Sequence, residues 1–191
     1  IVANIDYLVI VAATTNPEPR RGLIDRFLVC AFHEGISPIL LITKTDLAPL
    51  PDFIEEYRAL GVQIVTTSSK TSDRDADVAK IHKLLAGKTS VLVGHSGVGK
   101  SSLINSIIPD LNLKVGEISK QHLKGKHTTT FAEMHKVDNS TYIIDTPGIR
   151  EMGLVDMKPE ELSHYFPEMR NLIHQCRFNN CKHINEPDCA I

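Results

Sequence analysis

The stretch SVLVGHSGVGKSSLIN, residues 90–105, constrains the fold more than any other part of the chain. An apolar run breaks at Gly94, and helical apolar spacing resumes only after Lys100 and Ser101. Gly94, Gly99, Lys100 and Ser101 match G-x-x-x-x-G-K-[ST], a strand–loop–helix unit whose backbone N–H groups converge on phosphates. Glycine is required where a Cβ would block that wrap, and the positive end of the following helix adds attraction for anions. In this reading His95, Ser96, Gly97, Val98 and Ser102 complete the phosphate contacts. Lys100 bridges the β- and γ-phosphates, and the Ser101 hydroxyl ligates Mg²⁺. The competing reading is a glycine turn that binds nothing; the expected strand before it and helix after it argue against that.

About half of the 191 residues precede this loop. The hydrophobic content of 42% without a long uncharged apolar run describes a globular chain that needs no membrane span. A formal net charge of −2 excludes nucleic-acid binding by bulk positive charge and leaves local patches. Without a charged-then-apolar leader the expected location is the cytoplasm, and the expected state is a monomer. Along the chain, strands are expected over 6–13, 37–47, 62–70, 90–93 and 141–145. Helices are expected over 21–34, 51–60 and 77–85 and from Lys100 onward. Leu23, Phe27, Cys30 and Ala31 are expected to share the buried face of the first helix, Cys30 as a core residue. This alternation predicts an α/β fold, a doubly wound sheet of the P-loop type with ligands beyond the carboxyl ends of its strands.

Further polar signals stand at such strand ends. GKHTTT supplies Thr128, Thr129 and Thr130, of which Thr129 is the expected Mg²⁺ ligand. DTPG closes the last strand, with Asp145 near the metal and the Gly148 N–H near the γ-phosphate. In the first half, TKTD places Thr43, Lys44 and Asp46 at a strand end. A carboxylate at Asp46 can accept from both guanine N1–H and the exocyclic amine, a paired donor edge that adenine lacks. Ser68, Ser69 and Lys70 follow the next strand and reach the guanine carbonyl. The base-reading elements thus precede the phosphate elements, as in a circularly permuted domain whose termini have been joined and reopened elsewhere. The expected division is a GTPase domain over 1–155 and a zinc-binding segment over 156–191.

That last segment holds Cys176, Cys181, His183 and Cys189. Three thiolates and an imidazole form a closed tetrahedral shell suited to structural Zn²⁺, which staples a segment poor in apolar residues.

The order TKTD, SSK, GHSGVGKS, HTTT, DTPG and C-x₄-C-x-H-x₅-C resembles the RsgA/YjeQ family of ribosome small-subunit-dependent GTPases across nearly the whole chain. The resemblance implies GTP hydrolysis in late maturation of the small ribosomal subunit, stimulated by that subunit, with rRNA and protein contacts. It also implies an N-terminal OB-fold, for which this sequence shows no counterpart, and a zinc domain that runs on past its last cysteine. Where the family more often carries Asn, tying the base loop to the phosphate loop, this chain has Thr43, which predicts a weaker hold on nucleotide. Ile149 follows Gly148 and cannot orient water. His127, by resemblance, is the candidate that does, beside the alternative of a solvated loop histidine. Two other functions stay open at this point: an adenine-nucleotide P-loop enzyme, and a zinc-stapled ribosome-binding module in which hydrolysis is incidental.

Overall fold

The computed structural model describes residues 4–68, 72–113, 132–148, 153–154 and 157–191, with Ser72 and Asp73 described by backbone alone. Ser69, Lys70, His127, Thr128, Thr129, Thr130 and Ile149 lie outside the described residues.

The long apolar runs form strands buried on both faces, as their lack of alternation requires, and shorter, more exposed strands flank them at the edges. In chain order the strands are β1 (Tyr7–Ala13), β2 (Ser37–Thr43), β3 (Gln63–Thr66), β4 (Thr89–Val93), β5 (Glu133–Lys136) and β6 (Tyr142–Asp145). They lie side by side as β3-β2-β1-β4-β6-β5. Every neighbouring pair is parallel except β5–β6, an antiparallel hairpin at one edge. Within the sheet the two halves of the sequence meet along one line, where Tyr7 to Ile10 of β1 pair with Ser90 to Val93 of β4.

The helices are α1 (Arg21–His33), α2 (Ile54–Ala59), α3 (Ser72–Leu85) and α4 (Lys100–Ile107). On one face α1 and α2 bury Ile24, Phe27, Ile54 and Tyr57 over Leu8, Ile10, Leu40 and Ile42. On the other, α3 and α4 bury Ile81, Leu85, Leu103 and Ile104 over Val9, Val11, Leu41 and Ile143. Fully burying a side chain of this kind contributes about 1.5–3 kcal/mol. The buried stripe of α1 is Ile24, Phe27, Leu28 and Ala31, an i, i+3, i+4, i+7 face. Leu23 and Cys30 sit at its margin, half-buried, which corrects the expected face.

Other departures are local. β2 stops at Thr43 because Lys44 takes φ +59°, turning the chain out of the sheet. Helix α3 starts five residues before the expected Asp77. The β5 strand, EMHK, was not expected.

Beyond β6 the described chain adds no strand. It forms a 3₁₀ segment (Pro159–Tyr165), a short helix α5 (Pro167–Arg170) and a 3₁₀ turn (Ile173–Gln175). This arm does not merely hang from the domain. The Tyr165 ring meets the His33 ring edge-on at 5.0 Å, so the arm docks on the last turn of α1.

Candidate nucleotide site and metal cluster

At the carboxyl ends of β1, β2, β4 and β6 four loops converge. The loop after β4 needs its glycines. A Cβ on Gly94 (φ +151°) would stand 2.2 Å from the Val11 carbonyl oxygen, and Gly99 caps α4 in the left-handed region at φ +103°. Lys100 is nearly buried, and its ammonium donates to the carbonyls of Gly94 (2.9 Å) and His95 (3.3 Å), spanning the loop from within. The His95 ring lies 2.8 Å from the Ser96 carbonyl through Nδ1. Burial lowers the Lys100 pKa, and the field of Asp145 opposes that. Burial raises the Asp145 carboxyl, with Lys100 pulling the other way. Asp145 also keeps one buried oxygen, Oδ1, without a hydrogen-bond partner among the described residues. A buried carboxylate with an open acceptor beside the loop lysine is the donor a hard cation takes. Gly148 lies against the loop so closely that a Cβ there would come within 2.6 Å of Ser96 Cα and 2.7 Å of its nitrogen.

The base-side loop is tied to the phosphate-side loop by two side chains. The Thr43 hydroxyl lies 2.6 Å from the Val98 carbonyl and 3.3 Å from that of Ala12; its single proton goes to the nearer. A hydroxyl thus ties the base-side loop to the phosphate loop. Lys44 extends its ammonium to the carbonyls of Gly97 (2.9 Å) and Asn16, which lays its stem across the mouth of the site. Thr14 secures that lysine by donating to the Lys44 carbonyl at 2.7 Å. Asp46 is exposed in the turn after β2, and Ser68 follows β3 with its N–H 3.4 Å from the Asp77 carboxylate.

Together Thr43, Lys44, Thr67 and Ser68 on the base side and Gly99 and Ser102 on the phosphate side wall one cleft. Ser101 begins the helix beside it. Arg74 closes the cleft from α3, its guanidinium bonding the Ser102 carbonyl and the Ser106 hydroxyl. Sequence reasoning missed Thr14, Asn16 and Arg74. The strand-end position of TTNP was a usable signal for the first two; Arg74 carried none.

In the C-terminal segment, one ligand atom each from Cys176, Cys181, His183 and Cys189 lies within 4.8 Å of all the others. His183 Nδ1 is 3.5 Å from the sulfurs of both Cys176 and Cys189. Tetrahedral Zn²⁺ with bonds of about 2.3 Å to sulfur and 2.0–2.1 Å to nitrogen separates N and S by about 3.5 Å, so the cluster fits that ion. The turn carrying His183 is held by Glu186, whose carboxylate accepts backbone N–H groups of Lys182 (2.8 Å), Ile184 (2.9 Å) and Asn185 (3.2 Å). Those bonds hold its pKa down to about 2.

Among the described residues no helix is long and apolar enough to cross a membrane. Residues 1–155 match the RsgA GTPase family. The chain is 45% identical to the small ribosomal subunit biogenesis GTPase RsgA of Christiangramia forsetii and 43% identical to that of Pseudomonas putida, covering 100% of itself and 62% and 56% of those proteins. Thus it spans about three fifths of the curated relatives it matches. Its fold is similar to that of YjeQ from Thermotoga maritima, with a TM-score of 0.74 and 34% identity over 99% of this chain and 63% of that one. It is also similar to YloQ, described as a circularly permuted GTPase, with a TM-score of 0.71 and 33% identity over 98% of this chain and 60% of the other. Permuted strand order, a phosphate loop tied to a TKTD turn and a converged Cys₃His cluster have one common source: the chain belongs to the RsgA GTPase family.

Proposed function

We propose that this chain binds GTP and GDP with Mg²⁺, hydrolyses GTP, and acts with the small ribosomal subunit in its late maturation, as a cytoplasmic monomer outside any membrane. The observation that carries the reading is the union of base and phosphate loops at one sheet edge, through Thr43 to Val98 and Lys44 to Gly97. Asp46 reads the guanine edge, Lys44 covers the base, and Ser68, Ser69 and Lys70 meet its carbonyl. The N–H groups from Gly94 to Ser102 hold the phosphates, with Lys100 on the β- and γ-oxygens.

Mg²⁺ would be held by Ser101, Thr129 and Asp145, and the open Oδ1 of Asp145 supports that assignment. When bound it supplies charge neutralisation at the phosphate oxygens. The chain's own work is positioning: phosphoryl transfer to water needs an in-line water, a fixed γ-phosphate and charge relief. The Gly148 N–H fixes the γ-phosphate, and His127 orients the water in the reaction that the ribosomal partner stimulates. Residues 1–155 form the nucleotide unit. Residues 156–191 form a unit in which Cys176, Cys181, His183 and Cys189 hold one structural Zn²⁺. It helps bind rRNA and protein of the subunit.

The test is GTP hydrolysis with and without purified small subunits, run beside a version carrying the flanking regions of its relatives, with His127→Ala as the chemical control. Stimulation by subunits, lost in His127→Ala with GDP affinity kept, is the expected result. No hydrolysis under any condition, or displacement of a fluorescent GDP analogue by ATP as effective as by GTP, would overturn the reading.

A further inference from the structure

Three buried polar atoms on one face of the sheet lack hydrogen-bond partners among the described residues: Oδ1 of Asp145, Nε2 of His135 and Oγ of Ser90, and of these only the first two belong to ionisable groups. The β5–β6 pairing sets Glu133 opposite Asp145 and His135 opposite Ile143. Since side chains alternate along a strand, these four share a face, and Ile143 identifies it as the face covered by α3 and α4. His135 is therefore one diagonal step from Asp145. Such positions are about 7–8 Å apart, within reach of an imidazole.

The surroundings make His135 unusual. Glu133, Met134 and Lys136 of the same strand are exposed, whereas His135 is 6% exposed. Burying an imidazole edge without a partner is costly, and valine or isoleucine would fill an edge strand without that cost.

We infer that His135 is a positioning residue for Asp145, holding the carboxylate in its metal-binding orientation from Nε2–H through one ordered water. This rests on the reading of Asp145 as a Mg²⁺ ligand given above. Outer partners of this kind fix the orientation of a ligating group, and losing one weakens metal affinity by about 10–100-fold.

The experiment titrates Mg²⁺ against the chain loaded with a fluorescent GDP analogue, reading nucleotide release, for the parent, His135→Phe, His135→Gln and Asp145→Asn. His135→Phe is expected to raise half-saturating Mg²⁺ by about 10–100-fold. His135→Gln, which keeps a donor, recovers most of that, and GDP affinity in excess chelator stays within about twofold for both, since the metal is then absent. If Asp145→Asn loses Mg²⁺ dependence while His135→Phe keeps the parental value, the inference fails alone. If Asp145→Asn also keeps it, the Mg²⁺ reading fails and takes the inference with it. Equal losses in His135→Phe and His135→Gln would assign the effect to packing and overturn the positioning role. Should His135→Phe not fold, the parent and His135→Gln still decide: a glutamine variant several-fold weaker than the parent contradicts donor rescue.

Discussion

Replacing Thr43 with valine keeps the shape of the side chain and exchanges for a methyl the hydroxyl that makes one of the two ties across the nucleotide site. Thr43 is 6% exposed and its hydroxyl donates to the Val98 carbonyl at 2.6 Å, and Val98 is itself 3% exposed, so the carbonyl has little water to turn to. Orphaning a buried acceptor costs about 1–3 kcal/mol. Part of that appears as lost stability, about 2–4 °C in melting temperature per kcal/mol for a chain of this size. The rest appears as a fall in the fraction of molecules whose base and phosphate loops are in register, which lowers apparent affinity by the same factor. GDP binding, measured by displacement of a fluorescent analogue well below the melting temperature, is therefore expected to weaken about 5–30-fold, or about 1–2 kcal/mol. Thr43→Ser, which keeps the hydroxyl, is expected to stay within about threefold of the parent, because the donor is unchanged. Parental affinity in Thr43→Val, or a Thr43→Ser variant weaker than it, would refute the tie as an element of nucleotide binding.

Other outcomes follow from neighbouring geometry. Gly148→Ala brings a methyl to 2.6 Å from phosphate-loop backbone, an overlap costing about 1–3 kcal/mol; the affinity ratio of a non-hydrolysable GTP analogue to GDP should drop about tenfold, and an unchanged ratio would show that Gly148 does not sense the γ-phosphate. Asp46→Asn turns an acceptor into a donor against the guanine amine and should weaken GDP binding by about 2–4 kcal/mol. Xanthosine diphosphate, whose C2 carbonyl accepts that donor, should recover binding; indifference of Asp46→Asn to the base would remove the assignment. Stripping Zn²⁺ with a strong chelator should raise hydrogen exchange over 176–191 and leave GDP affinity within about twofold, since the two buried clusters draw their residues from Leu8 to Ile144. Simultaneous loss of GDP binding would show that the metal supports the sheet as well.

What the sequence discloses follows the physics of each element. Parallel strands buried on both faces read as unbroken apolar runs, so DYLVIVAA and PILLIT were legible, and the phosphate loop and Cys₃His cluster were legible because their chemistry fixes residue types and spacing. The strand EMHK was not. It is polar, short and at an edge, and it pairs because a turn closes it onto β6: Asp138 accepts the N–H groups of Ser140 and Thr141 at 2.8 and 2.9 Å. On α1 Phe27 and Ala31 are buried as expected, but Ile24 replaces Leu23, since the two are equally apolar and only the sheet beneath chooses between them. Arg74 and the seating of Tyr165 on α1 depend on pairs far apart in sequence, and no local pattern announces such pairs. Thr43 was read by its chemical type alone; the distance that matters, to Val98, exists only once β2 and β4 share a sheet.

The central strand β1 sets a timetable for the chain as it is made. Tyr7 pairs with Ser37 on one side and with Ser90 on the other. Synthesis at about 5–20 residues per second delivers the second partner roughly 4–17 s after β1 itself. Through that interval the nascent chain can close β1, β2 and β3 by short-range pairing, yet the other side of its most apolar strand shows unpaired N–H and C=O groups, the kind of template that recruits foreign strands. Joining β4 seals that side and creates the nucleotide cleft, and it hands the open edge on to β4 itself, which waits for Tyr142 to Asp145 of β6, so the chain can begin to hold a ligand while its sheet still has an apolar strand to cover.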